Sequence, residues 1–239
     1  MNNIPNWING KEAQPTTGAW LEKRDPHTGQ TMSLVADSSS EDVSLALDAA
    51  EAAFMEWSCM TPIARGQVLA DIVASMKTNK VELAACIASE TGKPPQDAEG
   101  EVSGAIQQGS FFAGEGMRLY GRTLTSAMPG KQSFTVRQPR GIAGLIVPAN
   151  TPIANIAWKA FPALITGNTV VMKAAEDAPA IANLFAQLAQ EAGLPDGVFN
   201  VIQGNGQPAG SSLVEDPRVD IISFTGSSDV KKEREGGQT

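Results

Sequence analysis

The sequence has few of the residues that bind metal ions or cross-link secreted proteins. Its 239 residues include one histidine, His27, and two cysteines, Cys59 and Cys86. Two cysteines are too few for a disulfide framework, and with a single histidine they make no metal-ligand cluster. We therefore expect neither a metal site nor a disulfide-dependent fold.

Long apolar runs and positive charge are also scarce. No apolar stretch approaches the ~18 residues needed to cross a bilayer, and the N-terminus lacks the basic start and apolar core of a secretion signal. The formal net charge is −8, which repels nucleic acids and anionic membranes. These features predict a soluble, cytoplasmic protein whose partners are neither nucleic acids nor membranes.

The first half of the chain combines turn signals with helical periodicity. Asn9-Gly10, after an apolar pair, predicts a hairpin near the N-terminus. From about residue 40 to 117, apolar residues return at helical spacing. The segment 118–139 is polar and β-prone, and Ser133–Arg137 alternates as a half-exposed strand does. We predict a hairpin, a helical segment and then a second hairpin.

After Pro139 the pattern changes to alternating strands and helices. The predicted strands cover 142–147, 169–173, 198–203 and 219–224, separated by helices over 153–165, 178–192 and 209–214. Four strands joined by three helices imply a parallel sheet with right-handed crossovers. The predicted fold class is α/β, with a Rossmann-like parallel sheet and flanking helices, preceded by the N-terminal hairpin and helical segment.

Ligands of such a sheet bind beyond the C-terminal ends of its strands, and all four predicted ends carry suitable groups. The segments at these ends are Val147-Pro148-Ala149-Asn150, Lys173-Ala174-Ala175-Glu176, Gly204-Asn205-Gly206-Gln207-Pro208-Ala209-Gly210 and Phe224-Thr225-Gly226-Ser227.

Each segment has a functional interpretation and a purely structural one. Asn150 would stabilise an oxyanion through its amide N–H, but on spacing alone a capping asparagine is the better explanation. Lys173 and Glu176 suit the hydroxyls of a ribose, or form a surface ion pair. The segment around Gly206 is a weak match to a dinucleotide fingerprint. Ser227 binds phosphate at a helix start, or only caps that helix.

In combination, these segments resemble the aldehyde dehydrogenase superfamily from about residue 5 to 230. The most specific matches are Gly167–Lys173, Glu191–Val201 and Phe224–Ser227, with Trp7-Ile8-Asn9-Gly10 upstream. The resemblance covers nearly all of this chain but about half of a family member.

The resemblance implies a role for each strand end. Asn150 corresponds to the asparagine that stabilises the oxyanion, and Lys173 and Glu176 correspond to the residues that hold the adenosine ribose. The other implied cofactor contacts are Val147, Pro148 and Ala149 beside the nicotinamide half, Gly206, Gly210 and Val230 on the adenine side, and Ser227, following Phe224-Thr225-Gly226, at the pyrophosphate.

Three departures from the family pattern bear on activity. Ala149 stands where the family usually has tryptophan, and Ala174-Ala175 stand where it has Pro-Ser. In the family, the general-base glutamate and the nucleophilic cysteine lie downstream of Ser227, and this chain reaches Thr239 without either. We therefore expect this chain to be inactive by itself.

Neither cysteine is expected to replace the missing nucleophile. Cys86 shares a helical face with Leu83 and Ile87, so a buried core thiol is expected there. Cys59 lies at a helix end, far in sequence from the strand ends.

The preference between NAD and NADP is predicted from one carboxylate. Glu176 would accept hydrogen bonds from a ribose diol but would repel a 2′-phosphate, which favours NAD over NADP. By resemblance, the full-length enzyme oxidises an aldehyde to a carboxylic acid through a cysteine thiolate and hydride transfer to NAD.

The chain is predicted to consist of three successive segments and a short tail. The N-terminal hairpin and the helices would cover 1–117, and an oligomerisation hairpin would cover 118–139. The Rossmann-like core would cover 140–230, followed by a polar tail over 231–239. The resemblance implies a homo-oligomeric full-length enzyme. Two alternatives stay open: a non-catalytic nucleotide-binding or assembly module, and a related acylating or phosphate-reducing enzyme.

Overall fold

The computed structural model describes residues 2–226. Its first strands are β1 (Asn2–Ile4), β2 (Asn6–Ile8), β3 (Lys11–Ala13), β4 (Trp20–Arg24) and β5 (Thr31–Ala36). The helices α1 (Ser40–Cys59), α2 (Pro62–Thr78), α3 (Lys80–Thr91) and α4 (Pro95–Glu115) follow, and then β6 (Thr123–Thr125) and β7 (Gln132–Phe134). The remaining elements are β8 (Ile142–Ile146), α5 (Pro152–Ile165), β9 (Thr169–Lys173), α6 (Pro179–Glu191), β10 (Phe199–Ile202), α7 (Ser211–Glu215) and β11 (Val219–Phe224).

The main sheet has six strands in the order β11-β8-β9-β10-β2-β3. The strands β8, β9, β10 and β11 are parallel. Every residue of β8, β9 and β10 is buried, as expected when helices cover both faces of a sheet. In chain order these strands form half of a Rossmann arrangement, whose strand order reverses between β8 and β11. The predicted α/β class is confirmed.

Successive residues of β8 enter two different apolar cores. Ile142 and Ile146 pack with α1 residues such as Leu47. Ala143 and Leu145 belong to the larger core formed with helices α2 to α6. This alternation is the two-residue period of a strand, with one layer of helices on each face of the sheet.

The predicted N-terminal hairpin is confirmed, but it does not stand apart from the sheet. Asn9 and Gly10 form its turn, with φ of 53° and 73°, the left-handed backbone that an Asn-Gly turn requires. Trp7 pairs antiparallel with Val201 of β10, so the hairpin extends the parallel sheet. The buried Asn200 also accepts a 2.9 Å hydrogen bond from the Asn9 backbone N–H.

One arginine joins the C-terminal ends of α1 and α5. Arg65 is 4% exposed, and burial lowers its pKa. Its Nε donates to the Ile165 carbonyl at 3.1 Å, and its Nη1 donates to the carbonyls of Trp57, Ser58 and Met60 at 3.4, 3.2 and 2.5 Å. The last carbonyls of a helix lack i+4 partners, so the guanidinium supplies hydrogen bonds to Ser58, Met60 and Ile165, and adds one to the Trp57 carbonyl that the Met60 N–H also bonds.

One sequence prediction is wrong. Ser133–Arg137 is not a half-exposed strand: β7 is Gln132–Phe134, it is fully exposed, and it pairs with the three-residue β6. The predicted short helix over 209–214 is confirmed as α7 (Ser211–Glu215), which a tight irregular turn over Gly206–Gly210 precedes. Pro208 has no N–H to continue a helix, and Gln207 is extended at φ −121° and ψ 136°.

Two further observations concern the whole described segment. None of the helices within residues 2–226 combines the length and apolar character that crossing a bilayer requires. Within the same residues, no three or more His, Cys, Asp and Glu side chains lie together as metal ligands. The predicted tail, 231–239, lies outside the described residues.

Candidate functional site

The C-terminal ends of the four parallel strands lie in one row across the sheet. Ile146 of β8 is in register with Phe224 of β11 on one side and with Lys173 of β9 on the other. Lys173 is in turn in register with Ile202 of β10. Neighbouring strands are about 4.8 Å apart, so the row is roughly 14 Å long. The segments that follow the strands therefore start from a common edge.

Backbone hydrogen bonds continue this alignment beyond the strands. The Ala174 N–H donates to the Ile202 carbonyl at 3.0 Å, and the Thr225 N–H donates to the Ile146 carbonyl at 3.2 Å. The edge between β8 and β11 is where the strand order reverses, and open α/β sheets bind ligands at such a position.

The turn after β8 holds the Asn150 side chain in a defined way. Its Oδ1 accepts a 2.9 Å hydrogen bond from the Thr151 N–H. Asn155 braces the turn by donating to the Thr151 carbonyl and hydroxyl at 2.9 and 2.8 Å. Among residues 2–226, the Asn150 Nδ2 donates to no other group, and the residue is exposed. Its amide N–H is therefore available to a ligand, as an oxyanion-stabilising asparagine requires.

Three residues lead from β8 into this turn. Val147 is buried, and Pro148 and Ala149 are half-buried. Sequence analysis did not identify Asn155, although its position four residues after Thr151, at a helix start, suits a side chain that hydrogen-bonds to the preceding turn.

The pair after β9 is not an ordinary surface ion pair. Lys173 Nζ lies 2.7 Å from Glu176 Oε2, and the lysine side chain is 4% exposed while that of the glutamate is 50% exposed. Partial burial raises the pKa of Glu176, but the charge and hydrogen bond of Lys173 outweigh it, so the pKa lies below its usual value. The structure thus presents an ionised carboxylate at the strand end, anchored by a buried ammonium group.

The glycine-rich segment after β10 contains one glycine that the fold does not demand. Gly204 has φ of 117°, and a Cβ there would come 2.9 Å from the Ser38 backbone nitrogen. Gly206 is exposed, and a Cβ there would meet no atom within 4 Å. Gly210 is buried at the end of the irregular turn.

The segment after β11 is described only in part. Phe224 is half-buried, and Thr225 and Gly226 are exposed at the end of the row. Ser227 and Val230, which the resemblance assigns to the pyrophosphate and the adenine, lie outside the described residues.

A glutamate from α4 closes the N-terminus of α5. This helix has no capping side chain of its own. Instead, Glu101 Oε1 accepts hydrogen bonds from the Ile153 and Ala154 N–H groups at 3.0 and 3.3 Å. Glu101 is 5% exposed at its side chain, and Lys93 forms an ion pair with its other oxygen.

A second buried glutamate closes the N-terminus of α6 in the same way. The cap position of α6 is Ala178, which offers no side-chain acceptor. Glu90, 2% exposed, accepts hydrogen bonds from the Ala180 and Ile181 N–H groups at 2.7 and 2.9 Å. Sequence analysis missed Glu90 and Glu101, since each caps a helix that begins more than fifty residues later.

These two caps restrict where a phosphate group can bind. The N-terminus of a helix attracts anions through its free N–H groups and its dipole. At α5 and α6 a carboxylate already occupies that position. An anion at this edge would therefore find the first N–H groups of α5 and α6 already bonded to protein carboxylates.

Glu90 should make stability depend on pH. Burial raises its pKa from 4.5 to about 7, although the hydrogen bonds from the Ala180 and Ile181 N–H groups and the nearby Lys23 lower it. Folding therefore favours the protonated form, so the stabilisation is fully present below the unfolded pKa and is lost as pH rises through the folded pKa. We expect the free energy of unfolding to fall by about 3 kcal/mol between roughly pH 4.5 and 7.5 from this group.

Urea unfolding across that pH range, for the wild type and Glu90→Gln, measures this effect. The neutral glutamine should give a flatter pH profile. Two profiles of equal slope would show that Glu90 does not titrate in this range.

A buried lysine lies beneath the edge between β8 and β11. Lys159 of α5 is 8% exposed, and its Nζ is 2.7 Å from Ser223 Oγ of β11. Burial lowers the pKa of Lys159. This contact fastens α5 to β11 and was not identified from the sequence.

The two cysteines lie on helices α1 and α3 rather than in the segments that follow the parallel strands. Cys59 is exposed at the end of α1. Cys86 is half-buried, 3.8 Å from Glu90 Oε2, and burial together with that carboxylate raises the pKa of its thiol. A raised pKa disfavours the reactive thiolate. His27 lies exposed in a turn after β4.

The sheet order and its row of strand ends are those of an α/β protein with Rossmann-like strand order. A family model described as "Aldehyde dehydrogenase family" matches residues 13–233, and the chain belongs to this family.

Several characterised proteins are similar to it. An α-ketoglutarate semialdehyde dehydrogenase of Haloferax volcanii is 38% identical over 94% of this chain and 47% of its own length. An α-ketoglutaric semialdehyde dehydrogenase of Bacillus subtilis is also 38% identical, over 97% of this chain and 48% of its own. The chain thus spans about half the length of the curated relatives it matches.

Solved structures agree in fold and include both cofactor types. A structure described as an NADP dependent enzyme of E. coli superposes with a TM-score of 0.95 at 34% identity, covering 98% of this chain and 49% of that one. An NAD-dependent aldehyde dehydrogenase of Sinorhizobium meliloti gives a TM-score of 0.94 at 32% identity, covering 98% and 47%.

Proposed function

We propose that the chain binds an adenine dinucleotide along the row of strand ends, as the cofactor-binding part of an enzyme that oxidises an aldehyde to a carboxylic acid. The observation that carries this proposal is the register of Phe224, Ile146, Lys173 and Ile202, with the Lys173–Glu176 pair at its centre.

Each part of the dinucleotide has a proposed position. Lys173 and Glu176 hold the adenosine ribose. The pyrophosphate lies at the junction after β11, a placement favoured by the carboxylates that occupy the starts of α5 and α6. The remaining contacts proposed from the family resemblance are Val147, Pro148 and Ala149 with the nicotinamide half, Gly206, Gly210 and Val230 with the adenine, and Phe224, Thr225, Gly226 and Ser227 with the pyrophosphate.

The open space at Gly206 supports its proposed role. Nothing in the described protein requires glycine there. A ligand lying against the backbone would require it, because a side chain would occupy the same volume.

Asn150 is proposed to stabilise the oxyanion that forms when a nucleophile attacks the aldehyde. Its Oδ1 is held by the Thr151 N–H, which leaves Nδ2 to donate. Such donors contribute roughly 2.7–4 kcal/mol to a transition state. The dinucleotide accepts the hydride in this chemistry.

We propose that the 239-residue chain alone does not oxidise aldehydes. Cys59 and Cys86 are its two cysteines, and neither lies in the segments at the strand ends. Purified protein incubated with NAD and lactaldehyde or α-ketoglutarate semialdehyde, aldehydes named in the relatives, should form no NADH. NADH formation above a protein-free control would contradict this proposal.

We expect NAD to bind more tightly than NADP by about tenfold or more, because the ionised Glu176 repels a 2′-phosphate. Glu176→Gln keeps the size of the side chain and removes its charge, so it should reduce this preference by roughly tenfold. Calorimetric titration of both proteins with both dinucleotides measures the ratio. If the ratio of the NADP and NAD dissociation constants were the same for the wild type and the variant, Glu176 would not determine the choice of cofactor.

The same titration tests the proposed function. A wild-type dissociation constant of about a millimolar or below supports the site. No binding of either dinucleotide would favour the alternative of a purely structural assembly module. Homo-oligomerisation stays a prediction, with the exposed Leu124 and Phe134 of the β6–β7 hairpin as its expected contacts.

A further inference from the structure

We infer that Glu90 is a positioning residue for the loop 174–178, which carries the proposed ribose-binding carboxylate. Glu90 accepts hydrogen bonds from the first turn of α6, and it acts on the loop through that turn. The inference rests on the proposed function, but its main structural consequence can be measured without a ligand.

The loop is short and fixed at its first end by the sheet. It joins Lys173, the last residue of β9, to Pro179, the first of α6. The Ala174 N–H is bonded to β10, and the Ala178 N–H donates to the Ala175 carbonyl at 3.1 Å. With so few residues between the two elements, the position of the first turn of α6 determines where Glu176 lies.

That first turn is fixed from outside the helix. Because Ala178 supplies no cap, the free N–H groups of α6 depend on Glu90. The buried Gln203 holds the opposite side of the turn, donating to the Pro179 carbonyl at 3.0 Å and to Asn183 Oδ1 at 2.9 Å. The two contacts come from α3 and from the end of β10, so they hold the start of α6 against both neighbours.

A charge contact connects the same loop to β4, which pairs with β5 outside the main sheet. Lys23 of β4, 6% exposed, lies 3.9 Å from Asp177 in the loop. The positive charge of Lys23 also lowers the pKa of the Glu90 carboxyl, against the larger effect of burial. The contacts that fix the end of the loop are therefore those of Glu90 and Gln203 with the first turn of α6 and that of Lys23 with Asp177.

The experiment compares four proteins by calorimetric titration with AMP, which contains the adenosine ribose but no nicotinamide. We expect Glu90→Ala to weaken AMP binding by about tenfold, because the free helix N-terminus lets the loop move. Glu90→Gln, which keeps one acceptor oxygen, should weaken it by about threefold. Glu82→Gln, at an exposed position on the same helix, should bind AMP like the wild type.

Two readouts separate positioning from a general loss of stability. Hydrogen exchange of the amides of residues 174–178, measured without ligand, should accelerate in Glu90→Ala and less in Glu90→Gln. Glu101→Gln is the matched buried cap on α5: it should lower stability as Glu90→Gln does, yet leave exchange in this loop unchanged.

Failure of the inference about Glu90 and failure of the proposed function give different results. Unchanged exchange at 174–178 in Glu90→Gln, or AMP binding by that variant equal to the wild type, would overturn the inference and leave the proposed function intact. Wild-type protein that binds neither AMP nor NAD would overturn the proposed function and the ribose role of the loop with it. If Glu90→Ala does not fold, Glu90→Gln alone decides.

Discussion

Replacement of Lys173 by methionine is expected to weaken NAD binding by about 30-fold. A hydrogen bond from a charged group contributes about 1.5–3 kcal/mol, which corresponds to roughly 10- to 150-fold in affinity. In this variant the ribose would no longer have a hydrogen bond from the ammonium group of Lys173. Glu176 would also lose the partner that now lowers its pKa and fixes its position 2.7 Å away.

Methionine is the informative substitution because it has similar length and an apolar stem. The lysine side chain is 4% exposed, so its methylene groups pack in the protein interior and methionine can replace them. Lys77→Met, at an exposed position on α2, is the control for the loss of one positive charge.

Calorimetric titration with NAD and urea unfolding should be measured on the same three proteins. We expect Lys173→Met to lose affinity far beyond any change in stability, and Lys77→Met to change neither. If Lys173→Met bound NAD as tightly as the wild type, the pair after β9 would not be the ribose site.

The second large effect concerns stability. Arg65→Ala is expected to lower the free energy of unfolding by about 3–4 kcal/mol and the melting temperature by roughly 10 °C. The guanidinium donates to carbonyls at the ends of both α1 and α5, and the alanine leaves those carbonyls without it.

An exposed arginine provides the control for this variant. Arg24 pairs with Glu22 at the surface, and its side chain is 65% exposed. Arg24→Ala should therefore change stability by less than about 0.5 kcal/mol. Thermal and urea unfolding of both variants test the comparison. Equal effects of the two substitutions would mean that Arg65 does not join the two helices as described.

The local sequence pattern predicts well those elements whose conformation depends on neighbouring residues in the chain. The strands 169–173 and 219–224 are confirmed residue for residue, since a short run rich in β-branched residues between turn signals identifies a strand. The turn at Asn9-Gly10 is confirmed because its residues tolerate left-handed backbone. The alignment of the strand ends then follows from parallel pairing.

Features that depend on distant partners were not predictable in this way. The hairpin joins the sheet through contacts such as the one between Asn9 and Asn200, 191 residues apart. Ser133–Arg137 has the alternation of a strand, but its partner β6 is three residues long, and every residue of β6 and β7 is exposed.

The buried caps left a weak signal in the sequence. The helix α6 begins at Ala178-Pro179, where no side chain can accept a hydrogen bond from the backbone. Such a start implies an acceptor from elsewhere in the fold, but nothing local identifies it as Glu90. The start of α5 differs, because its cap position is Thr151, whose hydroxyl is a typical local cap, and nothing local indicates that Glu101 of α4 accepts these hydrogen bonds instead.

An amide NMR titration with NAD tests the location of the dinucleotide most directly. Shift changes should be concentrated in the segments 147–150, 173–176, 204–206 and 225–226, and should saturate together. A cleft of about 330 Å³ between α2 and α4, lined by residues including Gly66, Ser110 and Met117, provides an internal comparison and should be unaffected. Shift changes confined to that cleft, or none at any of the four strand ends, would contradict a dinucleotide site at this edge of the sheet.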